Sequence, residues 1–208
     1  ASAMLAEGQG WVACNKPGGL LSVPGRGSSK VDSMLTRVRT FYGGGSESEA
    51  AHRLDLETSG VQLFALDPMS NSALQTQFAA RTTTKIYLAW IQAVPVNDEG
   101  EIRAPIRQKG RYVRGHETHP DGKSSQTRYK VIERQKTGTL LMLFPRTGRT
   151  HQLRVHCASA DGLGAPIIGD SLYGSGMQGD PLFLHAWRLT FTDPATHNQV
   201  RITAPVPE

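Results

Sequence analysis

Apolar and polar positions along the chain follow patterns that predict β-strands. Residues 11–15 and 61–66 are short apolar runs with the length and composition of buried strands. The segment KIYLAWIQAV, residues 85–94, alternates with a period of two, which predicts a strand with two distinct faces. One of these faces carries Tyr87, Ala89 and Ile91.

Two segments follow the period of an α-helix instead. Residues 31–41 have the i, i+3, i+4, i+7 spacing that is typical of an amphipathic helix, with apolar side chains at Val31, Met34, Leu35 and Val38. Residues 43–46, Gly-Gly-Gly-Ser, are expected to end this helix in a flexible surface connection. A second helix is predicted to start at Asp67-Pro68 and to end near Arg81.

The second half of the chain adds two predicted strands and a third helix. Residues 127–133 and 139–144 are predicted strands joined by a turn. The third helix is predicted to begin at Thr150, because threonine is favoured as an N-cap. Arg154 then lies within the first turns of that helix.

The length and cysteine content restrict the class of protein. A chain of 208 residues suits one domain with a sizeable core, and we expect a single domain over residues 1–208. Residues 1–10 are expected to start outside the fold, with the three residues before Met4 interpreted as a tag remnant. There is no signal-peptide pattern, and no apolar run approaches about 18 residues. Cys14 and Cys157 suggest no disulfide framework, so we expect a reducing, cytoplasmic setting without a membrane span.

Positive charge is concentrated in one segment. The formal net charge of +5 fits a polyanionic partner but does not identify one. Residues 103–136 contain three acids and ten basic residues, the latter being Arg103, Arg107, Lys109, Arg111, Arg114, Lys123, Arg128, Lys130, Arg134 and Lys136. The segment is either a solvated loop region or an arm that contacts phosphates, and the sequence favours neither.

Candidate chemistry is densest in residues 51–60, AHRLDLETSG. They combine a cation, an acid and a turn directly ahead of the apolar run at residues 61–66. Because residues 58–60 supply hydroxyls and a permissive backbone for a turn, Asp55 is expected on a loop held by a rigid strand. Taken alone, such an aspartate is more often a turn former or a helix cap than a catalytic group.

The full string resembles the HRLDxxTSG signature of the RluA family of RNA pseudouridine synthases. Five other segments resemble motifs of the same family: KPGG at residues 16–19, LLSVPGR at 20–26, KIYLA at 85–89, GRTHQLRVH at 148–156 and PIIGDSLYG at 166–174. The last residues of the chain resemble the closing hairpin of the family. The resemblance therefore covers about residues 12–205, nearly the whole chain.

This resemblance implies a fold and three catalytic residues. The fold is α+β, a central mixed, largely antiparallel β-sheet flanked by helices around a cleft that holds Asp55. Asp55 is implied as the catalytic carboxylate, Tyr87 as the residue that packs against the target uracil, and Arg154 as the residue that pairs with Asp55.

The resemblance also implies the substrate. The expected reaction isomerises uridines in RNA stem-loops of tRNA, of large-subunit ribosomal RNA, or of both, and it needs no cofactor or metal. We expect a monomer with RNA as its partner and no obligatory protein partner. The histidines at residues 116 and 119, and those at 151 and 156, lack the spacing of a metal site, so none is expected.

Seven basic residues are candidate RNA contacts: Lys16, Arg26, Arg53, Arg107, Lys109, Arg111 and Arg149. By resemblance Arg53 fills the gap left by the flipped target nucleotide, whereas the alternative is a salt bridge from Arg53 to Glu57 or to another surface acid. Residues 107–127 read as a longer loop than the compact basic run of the family, so family contacts are not carried over to this loop.

Two other classes of function stay open. A nucleosidase or glycosidase would use Asp55 with a second carboxylate such as Glu57, since paired carboxylates usually cleave glycosidic bonds. A non-catalytic RNA-binding domain would keep the same fold. The joint presence of Asp55, Tyr87 and Arg154 argues against that class, because binding alone does not require all three.

Overall fold

The structure is a computed structural model, and it describes residues 3–27, 31–43, 47–93 and 95–207. Most of the connection predicted at residues 43–46, and the first two residues of the predicted tag remnant, lie outside these ranges. The chain divides into two compact units. Unit 1 comprises Ala1–Lys85 and His185–Glu208, and unit 2 comprises Ile86–Leu184.

The described residues form twelve strands and three helices. In chain order these are β1 (Met4–Gly8), β2 (Trp11–Lys16), α1 (Met34–Phe41), β3 (Glu49–Ala50), β4 (Ser59–Ala65), α2 (Pro68–Ala80), β5 (Thr84–Ile91), β6 (Glu99–Ile102), β7 (Ile106–Gln108), β8 (His116–Thr118), β9 (Thr127–Gln135), β10 (Gly138–Pro145), α3 (Gln152–Ala158), β11 (Leu184–Thr192) and β12 (Gln199–Thr203). Strand pairs within each unit are antiparallel except β4 and β11, which are parallel. The predicted α+β class with a mixed, largely antiparallel sheet is confirmed.

Unit 1 is built on the predicted strand at residues 61–66. β4 is almost wholly buried and lies between β2 and β11, while β1 pairs with β2 and β12 with β11. The expectation that residues 1–10 start outside the fold is wrong for β1, because its backbone pairs with β2 from Met4↔Cys14 to Gly8↔Trp11. The strand was missed since MLAEG has neither a long apolar run nor regular alternation.

The first two helices each begin directly after a residue whose side chain acts as the N-cap. α1 starts at Met34, not at residue 31, because the Ser33 side chain accepts a hydrogen bond from the Thr36 N–H and acts as the N-cap. Val31 therefore lies outside the helix and is 55% exposed. α2 is confirmed, with Asp67 as its N-cap and Arg81 in the left-handed conformation that ends it.

Gly60 fixes the parallel pairing of β4 with β11. Its φ of +112° is rare for residues with a side chain, and a Cβ here would overlap the Ala186 carbonyl oxygen and lie 2.6 Å from the Ala186 nitrogen. We expect Gly60→Ala to lower the free energy of unfolding by about 2–5 kcal/mol, as backbone strain adds to overlap. Chemical denaturation measures this loss. Gly27→Ala is the control, because Gly27 has a φ of +98° in open space; an equal loss there would show that the overlap contributes nothing.

Unit 2 contains the other predicted strands. β5, β10, β9 and β6 lie side by side in that order, and the predicted strands at residues 127–133 and 139–144 are confirmed as β9 and β10. Ala89 and Ile91 are buried on one face of β5, with Tyr87 packed against the same core, as the period-two pattern predicts. None of the helices in the described ranges is long and apolar enough to cross a bilayer.

Candidate active site

Asp55 lies in unit 1 on a loop that precedes β4, and it is half-buried. The turn of this loop is earlier than predicted: the Thr58 N–H donates to the Asp55 carbonyl, and Ser59 and Gly60 already belong to β4. The loop is fastened at Leu54, whose N–H donates to the Ser22 hydroxyl while that hydroxyl donates back to the Leu54 carbonyl. The expectation that a rigid strand holds Asp55 on a loop is confirmed.

Lys16 also anchors the loop that carries Asp55. Its ammonium donates to the carbonyl oxygens of Pro17, Leu20 and Leu56 at 2.9, 2.7 and 3.1 Å. The side chain is fully buried, so the prediction that Lys16 contacts RNA is wrong. Burial lowers the pKa of Lys16 to about 8, although the charges of Asp55 and Glu57 oppose this shift. A buried cation therefore stands near the candidate catalytic carboxylate.

We expect Lys16→Met to lower the free energy of unfolding by about 1–3 kcal/mol, because three carbonyl groups lose the donor that the buried ammonium supplies. The slope of RNA affinity against salt concentration should stay unchanged, since no phosphate contact is lost. Arg53→Gln is the control, and it should reduce that slope by about 1. Thermal melting and RNA binding over a range of salt concentrations measure both effects; a reduced slope for Lys16→Met would restore the original prediction.

His52 holds the other side of the loop. Its Nε2 accepts a hydrogen bond from the Leu63 N–H at 3.1 Å, and its ring stacks on Phe78 with centroids 4.9 Å apart. Burial, assisted by the charge of Lys85, lowers the pKa of His52 to about 3. The imidazole is therefore neutral near pH 7 and acts as a structural acceptor.

Arg53 and Arg26 are the basic candidates of unit 1 that reach solvent. Both side chains are exposed. Within the part of the chain that the structure describes, Arg53 forms no ion pair, so the alternative of a salt bridge to Glu57 is wrong. The exposed guanidinium of Arg53 is available to stack on a base or to contact a phosphate.

Arg154 lies in unit 2 on α3 and is held by Asp170. Its Nε and Nη2 donate to the two carboxylate oxygens of Asp170, both at 2.8 Å, and the side chains are 2% and 0% exposed. The N–H groups of Leu172 and Tyr173 also donate to Asp170. Burial alone would raise the pKa of Asp170, but the hydrogen bonds and charge of Arg154 outweigh it and lower that pKa below the ordinary value.

Tyr173 connects this ion pair to its surroundings. The Arg154 guanidinium lies 5.4 Å from the centre of the Tyr173 ring, and the Tyr173 hydroxyl is 2.7 Å from His151 Nδ1. The His116 N–H donates to the same hydroxyl. Arg154 is thus enclosed by a carboxylate and an aromatic face, which fixes its position.

The start of α3 differs from the prediction. The N-cap is His151, in the left-handed conformation with a φ of 55°, and no side chain caps the helix. The Gln152 side chain holds this turn instead. Its amide oxygen accepts hydrogen bonds from the Thr147 hydroxyl and the Arg149 N–H, and its amide nitrogen donates to the Gln126 carbonyl and the Thr127 hydroxyl. The predicted Thr150 cap is wrong, because this buried amide determines the path of the chain. Arg149 is half-buried, and its Nε donates to the Ser124 carbonyl.

The other basic candidates lie on the hairpin formed by β7 and β8. Arg107 pairs with Glu117 across the strands at 3.0 Å, so its charge is largely compensated. Lys109 places its ammonium 5.9 Å from the centre of the Tyr173 ring, and Arg111 is exposed. The described residues contain no group of three or more His, Cys, Asp or Glu that could hold a metal ion.

Comparison with known proteins agrees with these motifs. Residues 10–159 match the family described as RNA pseudouridylate synthase. The chain is 40% identical over 203 residues to the dual-specificity RNA pseudouridine synthase RluA of Vibrio cholerae. The aligned region covers 93% of this chain and 78% of that protein. The chain belongs to the RluA family of RNA pseudouridine synthases.

Two further relatives support this membership. The enzyme of the same name from Escherichia coli strain K12 is 40% identical over 201 residues, covering 92% of this chain and 87% of that protein. The solved structure of human RNA pseudouridylate synthase domain containing 4 has a TM-score of 0.77 at 26% identity, over 99% of this chain and 88% of that chain. As a member of the family, the protein is an isomerase.

Several residues that hold Asp55 or Arg154 in place were given no role in the sequence analysis. Asp170 and Tyr173 lie in the PIIGDSLYG segment, which was matched to the family without a role for either residue. Ser22 and His52 hold the Asp55 loop, and both lie in matched segments as well. The matched motifs contain these residues, but the residues that they contact lie elsewhere in the sequence. These contacts are therefore visible only in the folded structure.

Proposed function

We propose that this protein isomerises uridine to pseudouridine in stem-loops of tRNA and of large-subunit ribosomal RNA, with Asp55 as the catalytic carboxylate. The observation that carries the proposal is the Asp55 loop: a half-buried carboxylate in the family signature, held by Ser22, Lys16 and His52. The name "dual-specificity" of the relatives, and the LLSVPGR segment, support two classes of RNA substrate.

The reaction breaks the N1–C1′ bond of uridine, turns the uracil and joins C5 to C1′. The atoms of substrate and product are the same apart from a proton lost at C5 and one gained at N1, so no co-reactant is required. One ionised carboxylate placed against the sugar and the base is sufficient. The negative charge of Asp55 and the buried ammonium of Lys16 attract each other, because opposite charges stabilise each other where water is excluded.

Tyr87 and Arg154 are proposed to act on the same uridine as Asp55, on the strength of the motif match. Tyr87 would stack on the extruded uracil and assist loss of the C5 proton. Stacking of this kind is worth about 1–3 kcal/mol per base, which offsets part of the cost of extrusion. Arg154 would supply positive charge for Asp55, and its bidentate bond to Asp170 supports a fixed position for that charge.

RNA contact is proposed at six of the seven basic candidates: Arg26, Arg53, Arg107, Lys109, Arg111 and Arg149. Arg53 would replace the extruded nucleotide in its stack, since its guanidinium is exposed and planar. We further propose a monomer that acts in the cytoplasm without an obligatory protein partner or a cofactor.

Nucleoside analysis tests the proposed reaction against its alternatives. Total tRNA and ribosomal RNA from cells that lack the enzyme are incubated with the protein, digested to nucleosides and separated by chromatography. We expect pseudouridine to increase at the expense of uridine, with no free uracil. Free uracil would show a nucleosidase, and unchanged nucleosides in RNA that is bound would show a binding domain.

A further inference from the structure

We propose that Tyr112, at the tip of the hairpin formed by β7 and β8, stacks on an unpaired base of the RNA. The inference rests on the proposed function, which makes RNA the partner, and adds a contact that the sequence did not assign. Tyr112 is 91% exposed. A ring this exposed gains little from burial within the protein, and its face is accessible to a base, which is how aromatic side chains bind single-stranded nucleic acid.

The charges around Tyr112 favour RNA as the occupant. Residues 108–116, QKGRYVRGH, include Lys109, Arg111 and Arg114 and no acid. Neither Arg111 nor Arg114 forms an ion pair with any described residue. The Arg111 guanidinium lies 5.8 Å from the centre of the Tyr112 ring. Tyr112 can therefore stack on a base while the arginines on either side of it contact the phosphates that flank that base. Stacking and phosphate contact then act together.

The base of the hairpin is ordered, so the tip is presented in a defined direction. The Lys109 N–H donates to the Gly115 carbonyl and closes the loop. Ile106 is buried and exchanges two backbone hydrogen bonds with Lys123, while the Thr118 hydroxyl donates to Asp161. A fixed backbone at the base of the loop reduces the conformational entropy that is lost when Tyr112 stacks.

The hairpin is also attached to the residues that enclose Arg154. The His116 N–H donates to the Tyr173 hydroxyl, and the Lys109 ammonium lies over the ring of Tyr173. Tyr173 in turn faces the Arg154 guanidinium. RNA that stacks on Tyr112 is therefore held by the same unit that carries two of the proposed catalytic residues, which gives the contact a role in positioning the substrate.

Binding measurements on single variants test this proposal. The probes are total tRNA, which has unpaired loops, and a fully paired RNA duplex, each titrated with the full chain. We expect Tyr112→Ala to weaken binding of tRNA by about 5- to 150-fold, the equivalent of one stacked base, and to change binding of the duplex by less than about twofold. Tyr112→Phe keeps the ring and should bind tRNA as the unchanged protein does.

Two controls separate stacking from other effects. Phe41→Ala removes another exposed aromatic, 70% exposed on α1 in unit 1, and should leave tRNA binding unchanged. Arg111→Gln should weaken both probes and reduce the salt slope by about 1, as expected of a phosphate contact. Equal affinity of Tyr112→Ala and the unchanged protein for tRNA, or equal losses for tRNA and duplex, would overturn the proposal. These assays need no turnover, so failure of the proposed reaction would be seen separately in the nucleoside analysis.

Discussion

Asp55→Asn is expected to lower kcat/KM for pseudouridine formation by about 10⁴-fold or more, while RNA affinity stays within about threefold. The amide keeps the size of the side chain but removes the negative charge on which the proposed reaction depends. Losses of this size are typical when the central reactive group of an enzyme is removed. Single-turnover kinetics on an RNA that the protein modifies measures the rate, and filter binding measures affinity.

Glu57→Gln is the matched control for this prediction, since Glu57 is the other carboxylate of the same loop. We expect it to retain most of the activity. If the two variants lose activity to a similar extent, the chemistry uses a pair of carboxylates, as glycosidases do. That result would replace the proposed role of Asp55 with the nucleosidase alternative.

Asp170→Asn is expected to have the second largest effect, on stability and activity together. The change removes the negative charge that faces the buried Arg154 guanidinium and one of the two acceptors that hold it. Breaking a buried ion pair by changing one partner typically costs about 3–5 kcal/mol. We therefore expect a lower free energy of unfolding and a lower kcat, with little change in RNA affinity, because Asp170 is too deeply buried to contact RNA.

Asp161→Asn is the control for Asp170, because Asp161 is an exposed carboxylate in the same unit. It should leave both stability and kcat nearly unchanged. The acid side of the unfolding profile gives a second check. The lowered pKa of Asp170 means that its stabilisation is present above about pH 4, the unfolded pKa, and is lost as the pH falls through the folded value. Asp170→Asn should lack this loss; an unchanged profile would contradict the role assigned to the pair.

Much of the fold could be predicted because its elements have strong local patterns. β4 contains an apolar run interrupted only by Gln62, β5 alternates with period two, and α2 has an Asp-Pro start; all three elements were confirmed. β1 was missed because its five residues are only partly buried and depend on pairing with β2. The predicted start of α3 was wrong. The Gln152 side chain is hydrogen-bonded to Gln126, far away in sequence, and this bond overrides the local preference for a threonine cap.

The environment of the candidate site was harder to predict than its residues. A lysine followed by Pro-Gly-Gly is typical of an exposed turn, yet Lys16 is buried because three carbonyl groups converge on it, one from Leu56, forty residues away. Asp170 pairs with Arg154 across sixteen residues that include an irregular loop. No local pattern encodes either contact, since both depend on how distant segments fold together.

Tritium release from RNA that carries uridine labelled at C5 tests the central claim most directly. Total tRNA and ribosomal RNA from cells that lack the enzyme would be treated with the unchanged protein and with Asp55→Ala. We predict release from both RNA pools by the unchanged protein and none above background by the variant. Equal release by the two proteins, or no release from RNA that the folded protein binds, would contradict the assignment of Asp55 as the catalytic residue.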